Sequence, residues 1–205
     1  MKVGINVDIF SDNSHDRWIA IKHLLYMCLY HERHTLILEG GVPKGIESKL
    51  EPEHVQLLRF ASVKYHDGAI GDCKIMNTGD AHSDLPYFSI DEGIRYLAQP
   101  LTIIMENNNN DAKFIDTLIE CYHRYDLQKA MAEGWLTCDN AGGCSNVPNL
   151  IRRMLKQNGD KSKFLRCFVI LDSDAFYPGH INQNAEATRV FLKDVTKSFA
   201  GMMKH

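Results

Sequence analysis

The chain has 205 residues, is 44% hydrophobic and 24% charged, and carries a formal net charge of −3. That length buries a real core in one domain or two small ones; nothing in the composition suggests disorder, and the net charge of the whole chain does not advertise nucleic-acid binding. No apolar run approaches the roughly 20 residues that span a bilayer, and Asp8 stands where a signal peptide would continue apolar, so neither membrane nor export is expected.

Residues 2–9 alternate like a strand. Residues 16–31 have helical spacing, with Trp18, Ile21, Leu25, Met27 and Leu29 apolar. Residues 35–38 read as a second strand, 53–60 as a helix and 73–76 as a short strand. Ser89-Ile-Asp-Glu92 is a capping box, so a helix starts there and runs to Ala98, before Pro100 stops it. A domain boundary is expected in this stretch, dividing a smaller α/β region of residues 1–99 from a second domain of residues 100–205. Leu101 to Met105 form the next strand. Asp111 caps the helix that follows, whose apolar residues are Phe114, Ile115, Leu118, Ile119 and Tyr122. The four asparagines 107–110 read as an extended loop. Residues 135–138 form a short strand, and Asn140-Ala-Gly-Gly-Cys-Ser-Asn146 a flexible loop. Pro148 sits in the first turn of a helix that ends near residue 157. Residues 168–171 form a further strand. A loop over 176–180 leads to a last helix with Ala187, Phe191, Val195 and Phe199 in one stripe. The order β-α-β-α-β-α predicts an α/β fold with parallel strands and right-handed crossovers.

The chemistry concentrates where strands end. Phe168-Val-Ile-Leu runs straight into Asp172-Ser-Asp174. Alternate residues of an extended chain point the same way, so the two carboxylates can face one spot. Paired carboxylates repel unless a cation lies between them, and oxygen ligands suit Mg²⁺ or Mn²⁺. Leu101-Thr-Ile-Ile-Met-Glu106 repeats the pattern with one acid. Acids at the carboxyl ends of parallel strands lie where open α/β sheets place their sites. Just before the Asp172 strand come Arg152, Arg153, Lys156, Lys161, Lys163 and Arg166, opposed only by Asp160. That run is either a solvated face or a phosphate-binding surface beside the acids. The six cysteines are scattered and, without an export signal, are expected as reduced thiols. Cys138 and Cys144 form a close pair but lack the second pair or His repeat of a zinc site.

On these residues, the stretch 101–199 resembles the TOPRIM domain, the metal-binding fold of topoisomerases, primases and overcoming-lysogenization-defect type nucleases. The family's signature is a Glu after the first strand and an Asp-x-Asp after a later one, matched by Glu106 and by Asp172 and Asp174. The family's next acid looks like Asp111, and its Gly-rich turn after the middle strand looks like Gly142-Gly143. Asn107 stands where many members carry Gly, a tolerable exchange because Asn accepts the left-handed conformation. The resemblance is nearest to the TOPRIM-like nucleases of bacterial phage defence. It implies a Rossmann-like sheet of mostly parallel strands with flanking helices, and a Mg²⁺-dependent (or Mn²⁺-dependent) nuclease acting on DNA or RNA. It also implies a cytoplasmic location, no membrane, and a partner defence protein or further copies of the chain. Glu106 would be a ligand or general base, Asp172 and Asp174 metal ligands, and Asp111 a second-site ligand or a helix cap. Gly142, Gly143 and Asn107 would form the loop near the site. Arg152, Arg153, Lys156, Lys163 and Arg166 would hold the nucleic-acid backbone without reading sequence. A further strand and helix would follow in a longer protein of this kind.

Rival readings stay open. A non-catalytic TOPRIM-like module would bind nucleic acid or a partner protein. A nucleotide-sugar transferase would use the Asp-x-Asp but leaves Glu106 without a role. Glu39-Gly-Gly is a rival for the Glu-plus-Gly signature, though Val-Pro-Lys-Gly after it does not start a helix. Asp80-Ala-His82-Ser-Asp84 is a polar loop with metal-ligand residue types.

Overall fold

The computed structural model describes residues 1–30, 33–77, 85–159, 161–171 and 182–197. The chain separates into two compact units, Met1–Ala98 and Gln99–His205. Both are α/β, and every strand pair in both is parallel. The α/β class and the flanking helices expected from the sequence are therefore present.

The first unit runs β1 (Lys2–Asn6), α1 (His15–Leu29), β2 (Thr35–Glu39), α2 (Pro52–His66), β3 (Cys73–Ile75), β4 (Tyr87–Phe88) and α3 (Ile90–Ala98), with strand order β2-β1-β3-β4. Val3, Ile5, Leu36, Leu38, Cys73, Ile75 and Phe88 lie on one face of the sheet and are buried. Gly4, in the middle of β1, lets Glu39 and Lys74 meet above it at 2.9 Å. A Cβ at Gly4 would stand 3.2 Å from the Cys73 carbonyl oxygen and 3.6 Å from both of those side chains. The capping box forms: Ser89 N donates to Glu92 Oε2 at 3.2 Å, and Glu92 N to Ser89 Oγ at 3.3 Å. β1 is shorter than residues 2–9, because Asn6 Oδ1 accepts from Asp8 N at 3.0 Å and winds residues 7–10 into a 3-10 turn.

The second unit runs β5 (Leu101–Met105), α4 (Asn108–Cys121), α5 (Tyr125–Ala132), β6 (Leu136–Asn140), α6 (Val147–Gln157), β7 (Cys167–Ile170) and α7 (Gln183–Lys197), with order β6-β5-β7. One face of the sheet packs Ile104 against Val147, Leu150 and Ile151 of α6 and against Phe191, Leu192 and Val195 of α7. The other packs Met105 against Ile115 and Ile119 of α4 and Leu127 and Met131 of α5. The expected apolar stripe of α7 is thus present at Phe191 and Val195, while Phe199 lies outside the described residues. The asparagine run is not an extended loop. Helix α4 begins at Asn108, so Asp111 sits in its first turn rather than before it. The favourable meeting of a first-turn acid with the helix dipole offsets the weak helix propensity of Asn.

Candidate metal centre

Glu106 follows directly on β5, the central strand, and two sets of contacts hold it. Its carbonyl oxygen accepts from Gly143 N at 3.1 Å, and its carboxylate Oε1 accepts from Cys144 N at 3.1 Å. Both donors come from the loop that follows β6. The loop reaches Glu106 because Gly142 and Gly143 take φ of 70° and 122°, which side-chain-bearing residues rarely adopt. Gly142 N donates to Asn140 Oδ1 at 2.9 Å, and Asn146 Nδ2 closes the turn on the Ala141 carbonyl at 2.6 Å. The Gly-Gly pair of the sequence is therefore the element that presents backbone N–H groups to the acid.

The second carboxylate oxygen, Glu106 Oε2, is buried and has no hydrogen-bond partner among the described residues. An ionised oxygen left so costs on the order of 1–3 kcal/mol or more. A hard divalent cation relieves that penalty, and the donor suits Mg²⁺ or Mn²⁺. The residue present fits the expected metal on this ground. Among the described residues no group of three or more His, Cys, Asp or Glu gathers for a cation.

Asp172 and Asp174 lie outside the described residues, as do Asp80, His82 and Asp84. The strand that leads to Asp172 ends at Ile170, whose register partner on β5 is Met105, the residue before Glu106. With order β6-β5-β7, the chain leaves β5 toward β6 and later returns on the opposite side of β5. The carboxyl ends of β5 and β7 therefore flank the switch point where such sheets bind ligands.

Asp111 is bonded to the residue after Glu106. Its Oδ2 accepts from Asn107 N at 2.8 Å, while Asp111 N donates to the Asn107 carbonyl at 3.0 Å. Of its two expected roles the structure shows the cap, reached backward from inside the helix. Glu39, the rival acid, is held by Lys74.

The basic run divides. Arg152, Arg153 and Lys156 are exposed on α6. Helix α6 starts at the loop beside Glu106 and runs away from it, so Arg152 lies roughly 8 Å and Lys156 roughly 14 Å along the axis from its first residue. Arg152 donates to Asn149 Oδ1 at 3.1 Å and stacks its guanidinium 4.7 Å over Phe191. Arg153 stands 3.7 Å from Asp139, with both side chains well exposed. Lys163 and Arg166 do not fit the expected phosphate-binding face. They follow α6 and precede β7, at the amino ends of the strands, roughly 13 Å of strand away from Glu106. Lys163 lies 5.5 Å over the Phe164 ring, and Arg166 donates to the Gln99 carbonyl at 2.8 Å. Nearness in sequence to the Asp172 strand misled here, because the residues just before a parallel strand enter its far end.

Three of the thiols are held protonated by burial. Burial raises Cys138, with Asp116 adding to the effect, and pushes Cys167 to about 11 and Cys28 to about 12. Cys138 packs with Met105 and Ile115, whereas Cys144 is engaged with Thr188 of α7, so the two do not share a ligand site. Sequence reasoning did not find Cys144 or Thr188 as functional residues, since a backbone donor leaves no mark in the residue type.

Among the described residues no helix is long and apolar enough to cross a membrane. Comparison with known proteins adds no relative: no family model, no curated protein and no solved structure matches this chain.

Proposed function

We propose that the second unit is the metal-dependent half of a nuclease that cleaves phosphodiester bonds of DNA or RNA. The observation that carries the reading is the buried, unpartnered Oε2 of Glu106 at the switch point of a parallel sheet. The resemblance of Glu106, Asp172 and Asp174 to the TOPRIM signature supports it. On this reading Glu106, Asp172 and Asp174 would hold Mg²⁺ or Mn²⁺. The cation, when bound, supplies Lewis acidity toward the phosphate oxygens and activates water. The chain's own residues do the rest. Gly143 and Cys144 fix Glu106 so that Oε1 is spent on an amide and Oε2 points onward. Oε2 then either ligates or takes a proton from the attacking water. Arg152 and Arg153, midway along α6, steady the phosphate backbone without reading bases. The cytoplasm and a role in phage defence, with a partner protein or further copies of the chain, belong to the same proposal.

The test is cleavage of single- and double-stranded DNA and RNA in Mg²⁺ and in Mn²⁺, with any partner chain present. Cleavage lost in Glu106→Gln and in Asp174→Asn, with circular dichroism unchanged, is the expected result. A wild-type protein that cuts nothing but binds nucleic acid would instead favour a non-catalytic module.

A further inference from the structure

Thr188 is a buried hydroxyl, 2% exposed, on the core side of α7. Its Oγ1 donates to the carbonyl oxygen of Cys144 at 3.1 Å and receives the Cys144 thiol at 3.6 Å. The thiol and the carbonyl of residue 144 thus both meet this one side chain, the carbonyl also accepting from Val147 N. The remaining polar group of Cys144, its N–H, is the donor to Glu106 Oε1 at 3.1 Å. Gly142 and Gly143, just before Cys144, have open space where a Cβ would stand, while Ala141 before them and Cys144 after them are buried. The bonds from α7 at Thr188 anchor both the carbonyl and the thiol of Cys144, and so fix the Cα from which its nitrogen projects toward Glu106.

We infer that Thr188 is a positioning residue for Glu106, acting through Cys144: it locks the loop so that one carboxylate oxygen is held and the other is offered to a cation. The inference rests on the metal reading above. It adds that α7, which follows the Asp172–Asp174 segment in the chain, is tied by Thr188 to the acid on β5. Groups that orient a ligand without touching the metal typically change its affinity about 10- to 100-fold when removed.

The experiment compares two pairs that differ by the hydroxyl: Thr188 with Thr188→Val, and Thr188→Ser with Thr188→Ala. The second pair keeps the test alive should the valine variant fail to fold. Mn²⁺ affinity is measured by calorimetry at a temperature where each protein is fully folded. Amide hydrogen exchange at Cys144 is followed without metal. The hydroxyl-free members are expected to bind Mn²⁺ about tenfold more weakly and to exchange the Cys144 amide faster, while Thr188→Ser stays near wild type. Unchanged exchange at Cys144 overturns the proposal. So does faster exchange with unchanged Mn²⁺ affinity, which would make Thr188 a structural brace only. If wild-type protein binds no Mn²⁺ at all, the metal reading itself falls, a result seen before any variant is made.

Discussion

The two sheets follow the same path and finish it differently. In each, the first strand is central, the second lies on one side and the third on the other, so each has a switch point at the end of its first strand. In the first unit that position belongs to Asp8, just past β1. Its Oδ2 accepts from Asn77 N at 3.0 Å, and its carbonyl accepts from Asn77 Nδ2 at 2.6 Å. Asn77 lies just past β3, so these bonds tie the ends of the first and third strands together. In the second unit Glu106 takes the equivalent place, but its carboxylate accepts from the Cys144 amide beyond the second strand of its sheet, on the side away from the third strand, β7. Topology fixes where a crevice forms. What differs is the side from which the acid is gripped: Asp8 is bonded across the switch point to the end of the third strand, Glu106 to the loop after the second.

The burial of the two sheets differs as well. β1 and β2 each have three consecutive buried residues, whereas β7 has none. The largest expected effect therefore falls on the first unit. Leu38→Ala, at 0% exposure, should cost about 2–5 kcal/mol in denaturant melts. It should leave any Mg²⁺-induced stabilisation intact, and loss of that response in Leu38→Ala would break the division of labour. Next comes the cation response. Mg²⁺ at about a hundredfold excess over Kd should raise the wild-type Tm by roughly 5–10 °C, an increase absent in Glu106→Gln. The glutamine can keep its oxygen on the Cys144 amide and so presents an NH₂ donor where Oε2 stood. Asp8→Asn should lose some stability and retain the response. If Asp8→Asn abolishes it and Glu106→Gln does not, the working crevice is in the first unit. Gly143→Ala should cost about 1–3 kcal/mol, since its φ of 122° suits only glycine, and should weaken the response as well.

Smaller effects sharpen the picture. Among the described residues, His54, 7% exposed, has neither ring nitrogen bonded. Burial lowers its pKa, with Glu51 acting against burial, Lys22 adding to it and Glu53 opposing. Its folded pKa lies below the unfolded value near 6.5, so the contribution to stability is complete above about pH 6.5 and is lost as pH falls through the folded value. His54→Leu should flatten that part of the pH–stability curve, read by chemical denaturation between about pH 7 and pH 5. Smallest of all, Arg153→Ala should change stability by less than about 1 kcal/mol, because its partner Asp139 is exposed. It should nonetheless weaken nucleic-acid binding at every sequence and flatten the salt dependence.

What the sequence showed was what is local. The Ser89–Glu92 box, the five residues of β5 and the acid after them each carry their signal within a few positions. β4 was missed because two residues, Tyr87 and Phe88, carry no readable alternation. α5 was missed because it has no buried residue to mark a face. The start of α4 was misread because asparagines favour loops, and the bond that decides the matter runs back from Asp111 to Asn107. Glu106 was legible as a strand-ending acid. The amides that hold it were not, since a donor on the main chain is set by the turn, and Thr188 looks like any helical threonine until α7 is packed.

The asymmetry of Glu106 has a thermodynamic side. A free glutamate side chain carries about 1.5–2 kcal/mol of rotamer entropy, normally surrendered when it grips a ligand. Here the Cys144 amide has already stopped the carboxylate from spinning, so that entropy is given up when the chain folds, before any ion arrives. The ion meets an oxygen with little motion left to lose, and discrimination between ions falls to size and hydration rather than to how readily the side chain can rearrange.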